Sequence, residues 1–227
     1  MKLTEIHHIT DEEQREILFW LQEFKIGKPN YNIHLETGVV DVYQNVIIEH
    51  QSFEVLPIQF GVLAGNFTIR SCADLNTLER CPSIVDNRFI CLNNPALLSA
   101  KYGPQLVKNG VTFKSCPITS FEGFPKEIIG DLYINNLKIN TFSGINKYIK
   151  SITGNIQIGA DCYVYHNGMM GLMLIRNLKS IKSEPMTKFI PQHEAMQIIN
   201  NHLAGDRFVT ECQLELQDAG FAEYAKL

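Results

Sequence analysis

Apolar and polar positions alternate in short runs that return about every 22 residues from Leu56 to Leu178. Gly65-Asn66-Phe67-Thr68-Ile69 opens one unit, and Asn87-Arg88-Phe89-Ile90-Cys91 opens the next. Asn109-Gly110-Val111-Thr112-Phe113, Gly130-Asp131-Leu132-Tyr133-Ile134 and Gly154-Asn155-Ile156-Gln157-Ile158 follow. The first apolar position falls at Phe67, Phe89, Val111, Leu132 and Ile156, so the spacings are 22, 22, 21 and 24. A fixed period in this range predicts a solenoid, in which each coil buries its apolar face only against its neighbours. Within a unit the period is two, as in a strand. The predicted inward pairs are Phe67/Ile69, Phe89/Cys91, Val111/Phe113, Leu132/Ile134 and Ile156/Ile158. Stacked as parallel strands about 4.8 Å apart, they make one apolar column.

The rest of each unit recurs too. Four residues after the first apolar position come Ser71, Asn93, Ser115 and Asn136. They are predicted to bond the backbone of the adjacent coil where strand pairing stops. Leu75/Leu78, Leu97/Leu98, Ile118/Phe121 and Ile139/Phe142 supply apolar contacts on the return leg. Pro82, Pro104 and Pro125, with Asn146 in the fourth place, mark the turn back. Ile84/Val85, Leu106/Val107, Ile128/Ile129 and Tyr148/Ile149 follow that turn.

Both flanks read differently. Thr10 and Glu13 have capping-box spacing, and Ile17, Trp20, Leu21 and Phe24 form one helical stripe that Gly27 and Pro29 end. Residues 31–60 read as strands, centred on Val39–Tyr43, Val46–Ile48 and Leu56–Phe60. Val46 stands 21 residues before Phe67, which makes it a zeroth rung of the ladder. Gly159 to Gly171 breaks the pattern and reads as a loop insertion; Leu172–Ile175 with Leu178/Ile181 reads as a last coil. Residues 191–203 and 206–218 read as two helices, with Pro191 in the first turn, Gly205 as the stop and Asp206 as the second N-cap. The predicted organisation is an N-terminal helical cap (1–30), a solenoid (31–185) and a C-terminal helical hairpin (186–227).

Composition narrows the functions. At 45% apolar and 19% charged, the 227 residues are those of a globular chain, and a net charge of −4 argues against broad nucleic-acid backbone binding. It favours a basic protein partner. The first residues lack the apolar core of an export signal, and no apolar run reaches the length of a membrane span. The six cysteines show no CxxC pair and read as reduced thiols, with Cys72 and Cys116 as small buried turn residues. No phosphate-loop, nucleophile-elbow or dinucleotide fingerprint is present. His193-Glu194 lacks the second histidine of a zinc helix, since Gln197 stands in its place, and no metal or other cofactor is expected. Cys162 and His166, near Asp161, are the one cluster with nucleophilic potential, against the plainer reading of a polar loop.

The stretches Val40-Asp41-Val42, Leu56-Pro57-Ile58-Gln59-Phe60-Gly61, Gly65-Asn66-Phe67, Leu75–Pro82 and Phe121–Leu132 resemble leucine-rich-repeat-like proteins of large tailed, T4-like bacteriophages. The resemblance covers about residues 35–160 and departs at Arg88, at Lys101-Tyr102-Gly103 and throughout 160–185. It implies an α/β, leucine-rich-repeat-like solenoid and a non-enzymatic phage protein in the host cytoplasm. It further implies an anti-defence role, with a defence toxin or a nucleic-acid-modifying enzyme of the host as target. By alternation the outer strand face carries Thr68, Arg70, Ile90, Leu92, Thr112, Lys114, Tyr133, Asn135 and Gln157. Arg70, Ile90, Leu92, Lys114, Tyr133 and Asn135 are the predicted partner-binding residues, apolar anchors with a charged rim. A phage structural or assembly protein and a cysteine-dependent hydrolase are the competing expectations.

Overall fold

The structure is a computed structural model that describes residues 8–159, 168–184 and 193–226. Helix α1 (Asp11–Glu23) opens the chain, followed by β1 (Tyr31–Ile33), β2 (Val40–Val42) and β3 (Val46–Glu49). The coils continue through β4 (Phe60–Leu63), β5 (Phe67–Arg70), β6 (Ile84–Val85), β7 (Phe89–Leu92), β8 (Leu106–Val107) and β9 (Val111–Lys114). Then come β10 (Glu127–Ile128), β11 (Leu132–Asn135), the one-turn helix α2 (Ile145–Tyr148), β12 (Ser151–Ile152) and β13 (Asn155–Ile158). A 3-10 turn (Met169–Leu174), β14 (Ser180–Ser183), α3 (His193–Ala204) and α4 (Val209–Asp218) complete it.

The strands form two ladders. The long-stranded ladder runs β3-β5-β7-β9-β11-β13-β14, and the other runs β1-β2-β4-β6-β8-β10-β12. Every pairing is parallel except β1 with β2. The molecule is thus a parallel-strand β-solenoid of about six turns with few helices, plus C-terminal helices. Where the sequence predicts a return leg of turns and apolar contacts, the second ladder of short strands closes each coil.

Register follows the repeat. Val46, Phe67, Phe89, Val111, Leu132, Ile156 and Ile181 are successive partners, so the zeroth rung at Val46 is real. All five predicted inward pairs are buried. A spine of phenylalanines runs through them: Phe24, Phe60, Phe67, Phe89 and Phe113 lie with ring centroids 5.1–6.4 Å apart. Phe124, Phe121 and Phe142 extend it at 4.4–5.7 Å. Offset and edge contacts at this range add to the burial of each ring.

The corners correct one expectation. The predicted bonds from Ser71, Asn93, Ser115 and Asn136 to the backbone of the adjacent coil are made from the next position in the chain, by Asn94; each of the four holds a left-handed conformation, with φ between 50° and 54°, and Asn136 Nδ2 donates to Ser115 Oγ at 3.3 Å. Asparagine tolerates that region better than most residues, and the turn swings the following side chain inward. Cys72, Asn94, Cys116 and Leu137 are therefore the buried corner residues. Asn94 does the bonding: its Oδ1 accepts from Cys72 N–H at 2.9 Å and its Nδ2 donates to the Ile69 carbonyl at 3.3 Å. An outer amide ladder sits at the opposite corner. Asn45 accepts from Asn66 N–H at 2.8 Å, Asn66 from Arg88 N–H at 3.1 Å, and Asp131 from Asn155 N–H at 2.7 Å.

The return leg is shifted from its predicted pairs at three points. Leu98 is exposed and Ala100 fills the place beside Leu97, because the inward spacing on that leg is three residues. Glu127/Ile128 form the third short strand, leaving Ile129 exposed. Ser151/Ile152 form the fourth, while Tyr148 belongs to α2. The turn that the repeat loses at Tyr102 is kept in structure: Tyr102 holds φ 68° where the next coil has Gly123 at φ 82°. Gly123 is further fixed by contact, since a Cβ there would lie 2.2 Å from the Ala100 carbonyl oxygen.

The flanks pack on this core. Thr10 and Glu13 make both bonds of the capping box, and Ile17, Leu21 and Phe24 are buried. The helix ends at Glu23, before Gly27 and Pro29, with Lys25 turned to φ 57°. At the other end, Met169, Met170 and Leu172 are fully buried, so the described part of the predicted loop insertion belongs to the core. The predicted last coil is present: Ile181 lies on β14, the last rung, Leu178 is buried before it, and Leu172 belongs to the 3-10 turn that leads in. Helices α3 and α4 bury Met196, Ile199, Leu203, Cys212 and Leu216. Phe208, not Asp206, is the N-cap of α4 and offers no side-chain bond. Pro191 lies outside the described residues.

Candidate interaction surface

The parallel register places outward side chains in rows. One row reads Ile47, Thr68, Ile90, Thr112, Tyr133, Gln157 and Lys182; the second reads Glu49, Arg70, Leu92, Lys114 and Asn135. Each row is spaced by strand separation alone, about 4.8 Å, so the outward side chains form continuous rows. Ile47 is half exposed at 52%, while Ile90, Leu92 and Tyr133 are half-buried. Arg70 and Lys114 are exposed. Arg70 Nε donates to Glu49 Oε2 at 2.6 Å, an ion pair between neighbouring rungs.

The structure thus brings five of the six predicted residues, Arg70, Ile90, Leu92, Lys114 and Tyr133, onto one accessible face. Asn135 is a correction: it is only 5% exposed. Its Nδ2 donates to the Tyr133 hydroxyl at 3.2 Å, and a Cβ at Gly159 would lie 2.4 Å from its Cγ. Backbone packed over it turns an outward position into a buried one. Tyr133 in turn donates to Glu184 Oε1 at 3.1 Å, which fixes its ring at the edge of the face. Sequence reasoning left Ile47 and Glu49 out of the face, although the zeroth rung already implied them.

A groove of about 540 Å³ adjoins the face at the corner between the ladders. Arg88, Lys108, Asp131, Tyr133, Gln157 and Lys179 line it. The Asp131 carboxylate is held within the wall, accepting from Asn155 N–H and from Gln157 Nε2 at 2.6 Å. Lys108 is paired with Asp86 at 2.7 Å.

The described cysteines are free and buried. Burial raises the Cys81 thiol well above its ordinary range, and lifts Cys212 to about 11 with help from Glu215. Cys91 and Cys116 stand 3.8 Å apart, and the hydrogen bond between them pushes Cys91 upward. Cys81, Cys91 and Cys212, held protonated and out of solvent, are poor nucleophiles, while the same bond shifts the buried Cys116 downward. Cys162, His166 and Asp161 lie outside the described residues, as does most of the 160–171 segment. Among the described residues no group of three or more His, Cys, Asp or Glu side chains is placed to hold a metal ion. No helix there is long and apolar enough to cross a membrane.

No family profile, curated protein or solved structure matches this chain.

Proposed function

We propose that this chain is a non-enzymatic binding protein that engages one host protein through its long-stranded face and acts by occlusion. The carrying observation is the row geometry: Ile47, Ile90, Leu92 and Tyr133 give apolar anchors in register on one sheet face, with Arg70 and Lys114 beside them. Anchors of this kind with a charged rim are what a protein interface uses. An extended face on stacked coils is also how repeat proteins bind. Helix α1 serves in this reading as the N-terminal cap over residues 31–185, and the coils are leucine-rich-repeat-like. The phage setting, the host cytoplasm and the anti-defence role, with a toxin or nucleic-acid-modifying enzyme as target, rest on the sequence resemblance alone.

The test is capture of partners by tagged protein from host lysate, read by mass spectrometry, alongside the double variant Leu92→Asp/Tyr133→Ala. One stoichiometric host protein, lost in a folded double variant, supports the reading. Equal capture by both proteins rules out the strand face. Recovery of phage particle proteins in place of a host protein moves the function to assembly.

A further inference from the structure

The two edges of the long ladder are β14 and β3. On β3 the bonds to β5 are made by alternate residues: Val46 N–H donates to the Asn66 carbonyl at 2.8 Å and His50 N–H to the Arg70 carbonyl at 3.2 Å. In a parallel pair the residues between, Ile47 and Glu49, direct their backbone N–H and C=O to the other side. No described strand lies on that side; the Glu49 carbonyl accepts only from Gln51 Nε2, at a long 3.4 Å, which an added strand would displace. A cleft of about 360 Å³ lies there, lined by Phe24 and Lys25 from the end of α1 and by Gln44, Ile47, Glu49 and Gln51. The second ladder ends differently: short antiparallel β1 is its outermost strand on one side, and Arg176 bridges to Ser151 beyond β12 on the other. Asn200 seals β14 with a two-way amide bond to Ile181.

We propose that β3 is a strand-addition site, taking an extended, basic segment of the bound partner as the next rung of the ladder. This rests on the protein-binding reading and names the chemistry of the partner. Unpaired backbone groups at a sheet edge template a further strand, and the side chains of that strand set specificity. The rows say which side chains fit. Beside Ile47 the added strand presents a β-branched or apolar residue, as Thr68 and Ile90 do on later rungs. Two residues on, a lysine or arginine meets Glu49, which then lies between two cations because Arg70 holds its other side. The mildly acidic chain favours the same partner charge.

The test uses the full chain and the synthetic peptide Asn-Phe-Thr-Ile-Arg-Ser, which copies residues 66–71, the strand that β3 already pairs on its other side. Binding is followed by amide chemical shifts and hydrogen exchange. Ile47 and Glu49 amides are expected to shift and gain protection. Ile47→Pro removes the free-edge N–H together with the Ile47 side chain and weakens binding by about tenfold or more, whereas Ile47→Ala, which keeps the N–H, weakens it less. Glu49→Arg reverses the preference toward the same peptide with glutamate in place of arginine. Unmoved Ile47 and Glu49 amides, or equal affinity in Ile47→Pro and Glu49→Arg, overturn the proposal. A concentration-dependent dimer that Ile47→Pro abolishes also overturns it, since a second copy then owns the edge. Leu92→Asp/Tyr133→Ala is expected to leave peptide binding intact. Loss of host-protein capture in that variant alone therefore bears on the broad face and not on the edge.

Discussion

The two ends of the long ladder carry strands of equal length and opposite fate. At β14 the side chain of Asn200 imitates a neighbouring strand: its Oδ1 accepts from Ile181 N–H at 2.8 Å and its Nδ2 donates to the Ile181 carbonyl at 3.0 Å. Arg207 reinforces that end, donating to the carbonyls of Ile175 and Leu178. At β3 the corresponding groups of Ile47 meet a cleft. Burying an edge requires that its backbone groups be bonded, and leaving it open leaves it reactive toward another strand. Among the described residues the long ladder has one amide-sealed edge and one edge with no further strand, and the unsealed edge adjoins the apolar row proposed to bind a partner.

The interior column is what both ends share, so breaking it has the largest effect. Phe89 is fully buried between Phe67 and Phe113, and Phe89→Ala is expected to cost about 3–5 kcal/mol in chemical denaturation, loosening both ends together. Asn94→Ala comes next, at about 3 kcal/mol, because it strands the Cys72 N–H and the Ile69 carbonyl in a buried corner. Asn200→Ala tests the sealed end directly. It is expected to cost about 2 kcal/mol and to speed hydrogen exchange in β14 while leaving β3 unchanged. Ile47→Pro at the open end should change stability by less than about 0.5 kcal/mol, since its N–H has no ladder bond to lose. Equal costs for these two substitutions would erase the asymmetry.

Smaller effects sharpen the same contrast near the open end. Asp41 lies on β2, where burial alone would raise its carboxyl. The Val62 N–H at 2.7 Å and His34 Nε2 at 2.8 Å outweigh burial and hold it below the ordinary value. A depressed folded value means that the contribution is complete above the unfolded carboxylate pKa, about 3.9, and is lost as pH falls through the folded one. Asp41→Asn is therefore expected to flatten the acid limb of stability below about pH 4. The Glu49–Arg70 pair is smallest. With side chains 41% and 48% exposed, Glu49→Gln should cost under about 0.5 kcal/mol, vanishing at high salt.

Much of the coil was legible because its causes are local. Strand alternation puts Phe67 and Ile69 inward whatever surrounds them, and a constant spacing sets the register of each rung on the next. The capping box at Thr10 and Glu13 is equally local. The candidate face was legible for the same reason, and Asn135 shows where that reasoning stops. Its outward direction follows from alternation, but its burial follows from Gly159, which is distant in sequence and stacked against it. The corner ladder was misplaced by one residue because the left-handed turn at Asn93 decides which side chain enters the core.

The sequence by itself therefore determined the period, the inward pairs and the register, since each depends on backbone geometry repeated at fixed spacing. The second ladder, the role of Asn94, the burial of Asn135 and the difference between the two edges were decided only in the tertiary structure. Those features depend on which groups from separate coils and flanking helices meet. A backbone N–H carries the same sequence signature whether an amide such as Asn200 reaches it or solvent does.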